Sequence, residues 1–319
     1  MASTAERPAT LDTEVRLPYR PPLASAELLA FLGRRAVPGV EEATPTGFRR
    51  SLRLHRGAGV IELTRLPSPV EGAASGKPGD GDAAFCARLR LDHPADRDEA
   101  IARTRALLDL DCDPAAVHEA LDGDPLLGEH VRARPGLRVP GTVDGAELAV
   151  RAVIGQQVSV GGARTITGRI VSACGAPLRE PVGRVTHTFP SPAALAALDP
   201  GALPMPRARR AAVLGLAGAL ADGQLVLEPE GDRETARRDL LALSGIGRWT
   251  ADYVAMRALR DRDAFLATDL GVRRALELLG VEGSPRSAEA LAERWRPFRA
   301  YATLHLWTAL TAAASERAG

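Results

Sequence analysis

Two glycines one residue apart, in Gly245-Ile246-Gly247, interrupt a helical pattern, and a lone carboxylate, Asp269, follows downstream in Phe265-Leu266-Ala267-Thr268-Asp269-Leu270-Gly271. An apolar-periodic run over residues 236–243 precedes the glycines, and a second helical run over 248–259 follows them. Such a turn can bring bare backbone close to a partner. Gly247 opens the second helix, where unpaired N–H groups and the helix dipole suit a phosphate. Binding of that kind is blind to base sequence. The same residues would also serve as a tight turn in a packed bundle. Asp269 precedes the periodic residues Leu270, Val272, Ala275, Leu276, Leu278 and Leu279, a position at which aspartate commonly caps a helix. On spacing alone the pair reads as a phosphate-binding hairpin with a candidate catalytic carboxylate behind it, or as a turn and a cap.

The elements around these residues fall into two kinds. Strand-like segments at 14–19, 48–54, 59–66 and 84–91, with one helix at 24–35, predict a small antiparallel α+β domain over 14–96. Ser51, Arg53 and His55 alternate with Leu52 and Leu54, the pattern of a sheet with one face in solvent. Residues 1–13 read as a disordered tail. The stretch 67–82, rich in Gly, Pro, Ser and Ala, reads as a flexible loop, and its glycines open no helix. From 97 to 319 the pattern is helical, with helices expected at 164–173, 192–198, 207–221, 233–243, 248–259, 270–279, 288–295 and 299–313.

With 319 residues and 45% apolar side chains the chain can bury a sizeable core. A net charge of +1 gives no support for nucleic-acid binding, so any basic patch must be local. Of 41 basic residues only Lys77 is a lysine. Cys86, Cys112 and Cys174 lack the paired spacing of a zinc site, an iron–sulfur cluster or a disulfide framework. Residues 1–14 carry no signal-peptide core, and no run of about 18 apolar residues occurs. A cytoplasmic protein is expected.

The ordered set Gly245-Ile246-Gly247-Arg248-Trp249-Thr250-Ala251, Asp269, Ile154-Gly155-Gln156-Gln157-Val158-Ser159, Ala292-Glu293-Arg294-Trp295-Arg296-Pro297 and Tyr301-Ala302-Thr303-Leu304-His305-Leu306-Trp307 resembles the helix-hairpin-helix DNA glycosylases. Within them it resembles the AlkA-type 3-methyladenine DNA glycosylase II family, from about Pro18 to Trp307. The resemblance implies two helical subdomains after the sheet, roughly 142–260 and 97–141 plus 261–319, with a substrate cleft between them. It makes Asp269 the catalytic aspartate and places Trp249, Tyr253 and Trp307 in an aromatic base pocket. Gly245, Gly247, Arg248, Thr250, Gln156, Gln157 and Ser159 become DNA-binding residues. Main-chain carbonyls of Leu241, Leu243 and Gly245 would hold a monovalent cation, Na+ or K+, with no cofactor for catalysis, no iron–sulfur cluster and no zinc.

Cleaving a purine from deoxyribose develops positive charge on the sugar, which an ionised carboxylate stabilises. A ring-alkylated purine is already a cationic leaving group, so one carboxylate suffices, and electron-rich rings attract it. Strand-nicking relatives carry a lysine where this chain has Trp249, which implies hydrolysis without lyase activity. The expected partner is double-stranded DNA containing damaged bases, bound by a monomer with no membrane contact. A glycosylase of the same architecture for deaminated or oxidised bases, and a non-catalytic helix-hairpin-helix DNA-binding protein, are the competing readings. Phosphate binding alone needs none of Asp269, Trp249 and Trp307.

Overall fold

The computed structural model describes residues 10–65 and 83–316; the loop expected at 67–82, most of the expected tail, and Lys77 lie outside the described residues. Five antiparallel strands, β1 (Leu11–Pro18), β2 (Glu41–Thr44), β3 (Gly47–Arg53), β4 (Ala58–Arg65) and β5 (Ala84–Leu91), form one sheet in the order β1-β5-β4-β3-β2. β1 begins at Leu11, three residues before the expected start, because its pairing with β5 runs on to Leu91. Helix α1 (Ser25–Arg34) and helix α2 (Arg97–Leu108) cover one face. Leu28, Phe31 and Leu32 of α1, and Ala100, Leu107 and Leu108 of α2, share a core with Phe48, Leu52, Ile61, Leu63, Phe85 and Leu89. α2, expected to open the helical region at residue 97, thus packs on the sheet.

The helical part contains α3 (Pro114–Asp122), α4 (Gly128–Ala133), α5 (Gly145–Ile154), α6 (Val160–Cys174), α7 (Pro192–Ala196) and α8 (Arg207–Ala221). It continues through α9 (Arg233–Ala242), α10 (Arg248–Arg257), α11 (Leu270–Leu278), α12 (Pro285–Ala292) and α13 (Arg299–Glu316). One hydrophobic cluster runs through them, including Leu216, Leu240, Val254, Leu276, Trp295 and Leu306. Trp307 packs against both this cluster and the sheet's. No helix among the described residues is long and apolar enough to cross a membrane.

A hairpin, β6 (Pro177–Val182) and β7 (Val185–His187), corrects the expectation that one sheet face meets solvent. Leu178, Val182 and Val185 pack on Val60 of β4, and Ser51 Oγ donates to the His187 carbonyl at 2.7 Å. Ser51 is therefore buried, although its alternation reads as exposed.

Between sheet and helices lies a buried ionic ring. Arg50 of β3 donates to Glu41 at 2.8 Å and to Glu147 of α5 at 2.7 Å. Arg151 of α5 reaches the same two carboxylates at 3.1 and 2.7 Å. Burial pushes the Glu41 carboxyl up, but Arg151 and Arg50 outweigh it and hold its pKa below the ordinary 4.5. Its contribution to stability is therefore full above about pH 4.5 and is lost as pH falls through the lowered folded value. Arg50→Met leaves two buried carboxylates with half their partners. At pH 7 it is expected to lower unfolding free energy by about 3–5 kcal/mol. Guanidinium chloride denaturation checks this, and a loss below about 1 kcal/mol, the scale of a surface pair, would contradict it.

Candidate active site

The hairpin is shaped by its two glycines for different reasons. α9 ends at Ala242, and the Ile246 N–H closes the turn by donating to the Leu243 carbonyl at 3.1 Å. Gly245 has φ +83°, and a Cβ there would lie 2.6 Å from Ala212 Cβ on α8. Only glycine meets both conditions. Gly247 has an ordinary φ of −95°, and a Cβ there would meet nothing within 4 Å. Glycine at 247 thus leaves room for an approaching partner and answers no need of the fold. No side chain caps α10 at this point, so its first N–H groups face outward unpaired by any cap. Arg237 of α9 donates to Asp252 of α10 at 3.0 and 2.9 Å and locks the two helices together.

Several residues expected at DNA have partners inside the chain. Gln156, just past α5, donates from Nε2 to the Gly245 carbonyl at 3.1 Å and to Thr250 Oγ1 at 3.0 Å. It braces the hairpin from behind, because both amide hydrogens point into it. Thr250 is buried beneath that brace. Ser159 caps α6, its Oγ accepting from the Gly162 N–H at 3.1 Å. The Arg248 guanidinium pairs with Glu289 of α12 and lies 3.8 Å from Asp252. Gln157 remains exposed at the tip of the α5–α6 loop, with φ +57°, a conformation that non-glycine residues seldom adopt.

Asp269 is the helix cap that its sequence position allowed, and it also lines the cleft. As N-cap of α11 its Oδ2 accepts from the Val272 N–H at 2.9 Å. The same oxygen accepts from Trp307 Nε1 of α13 at 2.9 Å, and Oδ1 accepts from Trp249 Nε1 of α10 at 2.7 Å. Trp249 stacks on Tyr253 with centroids 5.1 Å apart and 12° between planes. Trp307 stacks on Phe31 at 6.5 Å and 17°. Trp249, Tyr253, Asp269 and Trp307 line one cleft of about 870 Å³. The Tyr253 hydroxyl accepts from Arg257, whose Nε and Nη2 donate to the Pro140 and Gly141 carbonyls at 2.6 and 2.9 Å. Burial raises the Tyr253 pKa, but Arg257 and Arg35 outweigh it and leave it below the ordinary value.

Three residues of this site escape the sequence reading. Phe31 and Arg35 reach the cleft from α1 of the sheet unit. Their i,i+4 spacing on an amphipathic helix was the available signal. Gly271 is the third: a Cβ there would lie 2.9 Å from Asp269 Oδ2 and 3.2 Å from Trp307 Nε1. The absence of a side chain lets α13 bring its indole onto the carboxylate. At the hairpin, the Leu243 and Gly245 carbonyls each accept one hydrogen bond within the chain. Each oxygen keeps a lone pair, and neutral oxygen donors fit an alkali cation.

A sheet unit followed by helices, with a glycine hairpin beside an aromatic cleft holding one aspartate, is the architecture of a helix-hairpin-helix glycosylase. The 3-methyladenine DNA glycosylase of Archaeoglobus fulgidus superposes with a TM-score of 0.76 at 21% identity, over 94% of this chain and 98% of that one. Residues 14–144 match the AlkA N-terminal domain. DNA-3-methyladenine glycosylase 2 of Escherichia coli is 36% identical over 294 residues, 91% of this chain and 95% of the relative. The chain belongs to the AlkA family of DNA-3-methyladenine glycosylases. The probable bifunctional transcriptional activator/DNA repair enzyme AlkA of Mycobacterium tuberculosis is 47% identical over 296 residues, 93% of this chain. The chain spans 57% of the length of that relative.

The three tryptophans give the site a direct readout. The indole N–H signals of Trp249 and Trp307, both bonded to carboxylate oxygen, are expected downfield of that of Trp295, whose buried Nε1 has no partner among the described residues. Gly271→Ala is expected to move the Trp307 signal upfield by pushing the indole off Asp269. A proton NMR spectrum in which both downfield signals persist would contradict the close packing at Gly271.

Proposed function

We propose that this chain is a monofunctional DNA glycosylase that flips an alkylated purine of the 3-methyladenine and 7-methylguanine class out of the duplex and hydrolyses its N-glycosidic bond. The observation that carries the reading is the Asp269 carboxylate, held by two indole N–H groups at 2.7 and 2.9 Å in a cleft walled by stacked rings. An enzyme acting on a base takes it out of the stack and holds it against aromatic faces. The paired rings Trp249–Tyr253 and Trp307–Phe31 supply such faces. A cationic base gains roughly 0.5–2 kcal/mol per ring contact over a neutral one.

In this mechanism the alkylated base leaves with the electron pair of the glycosidic bond and becomes neutral, so no protein acid is required. Asp269 faces the positive charge that develops on the deoxyribose and accepts a proton from the water that adds to the anomeric carbon. Its three hydrogen bonds fix the carboxylate before substrate arrives. The open N–H groups of α10 and the room left at Gly247 support phosphate binding at the hairpin. The carbonyls of Leu241, Leu243 and Gly245 would hold Na+ or K+, which when bound adds positive charge for that phosphate. Gln157, exposed at its loop tip, is the side chain suited to fill the gap left by the flipped base. Position 249 carries an indole engaged with Asp269 where a lyase would need an amine, which supports hydrolysis without strand scission. Every group in this scheme comes from one chain, so one copy suffices.

Methylated duplex DNA incubated with the protein is expected to release free methylpurines, read by chromatography, without strand nicks. Asp269→Asn keeps a residue able to cap α11 and removes the charge. It is expected to lower release by about 10²- to 10⁴-fold. Release that is unchanged in Asp269→Asn would remove the carboxylate from the mechanism.

A further inference from the structure

Six side chains of the cleft contact one another in a closed circuit. From Asp269 Oδ1 it runs through the Trp249 indole N–H at 2.7 Å to the Trp249–Tyr253 stack, with ring centroids 5.1 Å apart. From Oδ2 it runs through Trp307 Nε1 at 2.9 Å to the Trp307–Phe31 stack, with centroids 6.5 Å apart. Arg257, the last residue of α10, joins the two far ends. Its Nη1 donates to the Tyr253 hydroxyl, and its Cζ lies 5.1 Å from the Phe31 centroid and 5.3 Å from that of Tyr253.

Arg257 is buried, and among the described residues it is hydrogen-bonded to no carboxylate. A buried charge without a counter-ion is costly and persists only where hydrogen bonds compensate it. Two of them go to main chain, from Nε to the Pro140 carbonyl at 2.6 Å and from Nη2 to the Gly141 carbonyl at 2.9 Å. The guanidinium thus ties together the segment leading into α5, Tyr253 of α10 and Phe31 of α1. A planar fork with donors in fixed directions sets ring positions more tightly than an apolar spacer of the same volume. Arg35 lies nearer Phe31, with Cζ 3.7 Å from its centroid, but its one hydrogen bond among the described residues returns to α1, at the Phe31 carbonyl. We propose, on the glycosylase reading given above, that Arg257 is a positioning residue for base capture, acting through Tyr253 and Phe31 to hold the two ring pairs at the separation a flipped base enters. Ring faces carry no base-edge pattern, so this role serves alkylated adenine and alkylated guanine alike.

The test measures binding apart from chemistry, with two duplexes of one sequence. One carries 7-methylguanine on a 2′-fluorinated sugar, which resists hydrolysis; the other carries tetrahydrofuran in that place and offers no base to hold. In Arg257→Met the affinity for the base-bearing duplex is expected to fall about tenfold, the scale of one or two cation–ring contacts, while that for the tetrahydrofuran duplex stays within about twofold. Arg257→Lys keeps the charge but lacks the fork, and is expected to lose about threefold on the base-bearing duplex alone. It carries the same comparison should Arg257→Met fail to fold. Equal losses on both duplexes would make Arg257 a purely structural residue and overturn the proposal. Unchanged affinity for both would show that the rings hold their places without it, and would overturn the proposal too. Failure of the unaltered protein to release methylpurines from methylated duplex DNA would overturn the glycosylase reading first, and this proposal with it.

Discussion

Asp269 accepts hydrogen bonds from three elements: α10 through Trp249, α13 through Trp307, and its own helix through the Val272 N–H. Each bond constrains more than the carboxylate. Trp249 lies in the first turn of the helix that the hairpin opens, so the same residue that holds Asp269 also fixes how far the cleft lies from the glycine turn. Trp307 packs at the seam of the two hydrophobic clusters, so the indole that meets Oδ2 also sets where the sheet unit sits against the helices. Indole N–H groups can only donate, and a carboxylate can only accept. The geometry is thus one-directional, with no alternative pairing for either ring that leaves the carboxylate satisfied.

The sheet unit is part of the site. Phe31 and Arg35 are carried by α1, whose end is tied through the Arg35 carbonyl to Arg151, and through Arg151 to a buried ring of two arginines and two glutamates. Such a ring is a poor source of net stability, because four charges must be desolvated to build it. Its effect is to fix the register of β2, β3 and α5 against one another. α5 in turn leads directly into Gln156, which braces the hairpin, and Gln157, which stands at the loop tip. A line of fixed contacts therefore runs from the sheet to the turn through a single helix.

Much of this was legible in the residues. Period-2 and period-3.6 patterns locate the long strands and most helices to within a few residues, and the paired glycines and Asp269 stand out because turns and caps are local. What escaped depends on distant partners. Ser51 alternates like a solvent residue but is covered by β6–β7, whose two prolines and charged residues hide its strand character. Gly271 looks like an ordinary helical glycine until α13 is laid across it. Gln156 and Arg248 have the chemistry of DNA contacts, and only the fold reveals that they also have partners within the chain in Gly245, Thr250 and Glu289. Phe31 and Arg35 sit in a different unit from Trp249, Tyr253, Asp269 and Trp307, so no local spacing links them to Asp269.

The central claim is that the Asp269 charge faces a developing positive charge on the sugar. The most direct measurement is the affinity for a duplex carrying a cationic pyrrolidine in place of the abasic sugar, against one carrying an uncharged tetrahydrofuran, in the unaltered protein and in Asp269→Asn. The account predicts that the unaltered protein prefers the cation by about tenfold or more, as expected of a charge-assisted contact in a water-poor cleft, and that the preference disappears in Asp269→Asn. An equal preference in both proteins would mean that another group, or none, faces the reacting carbon.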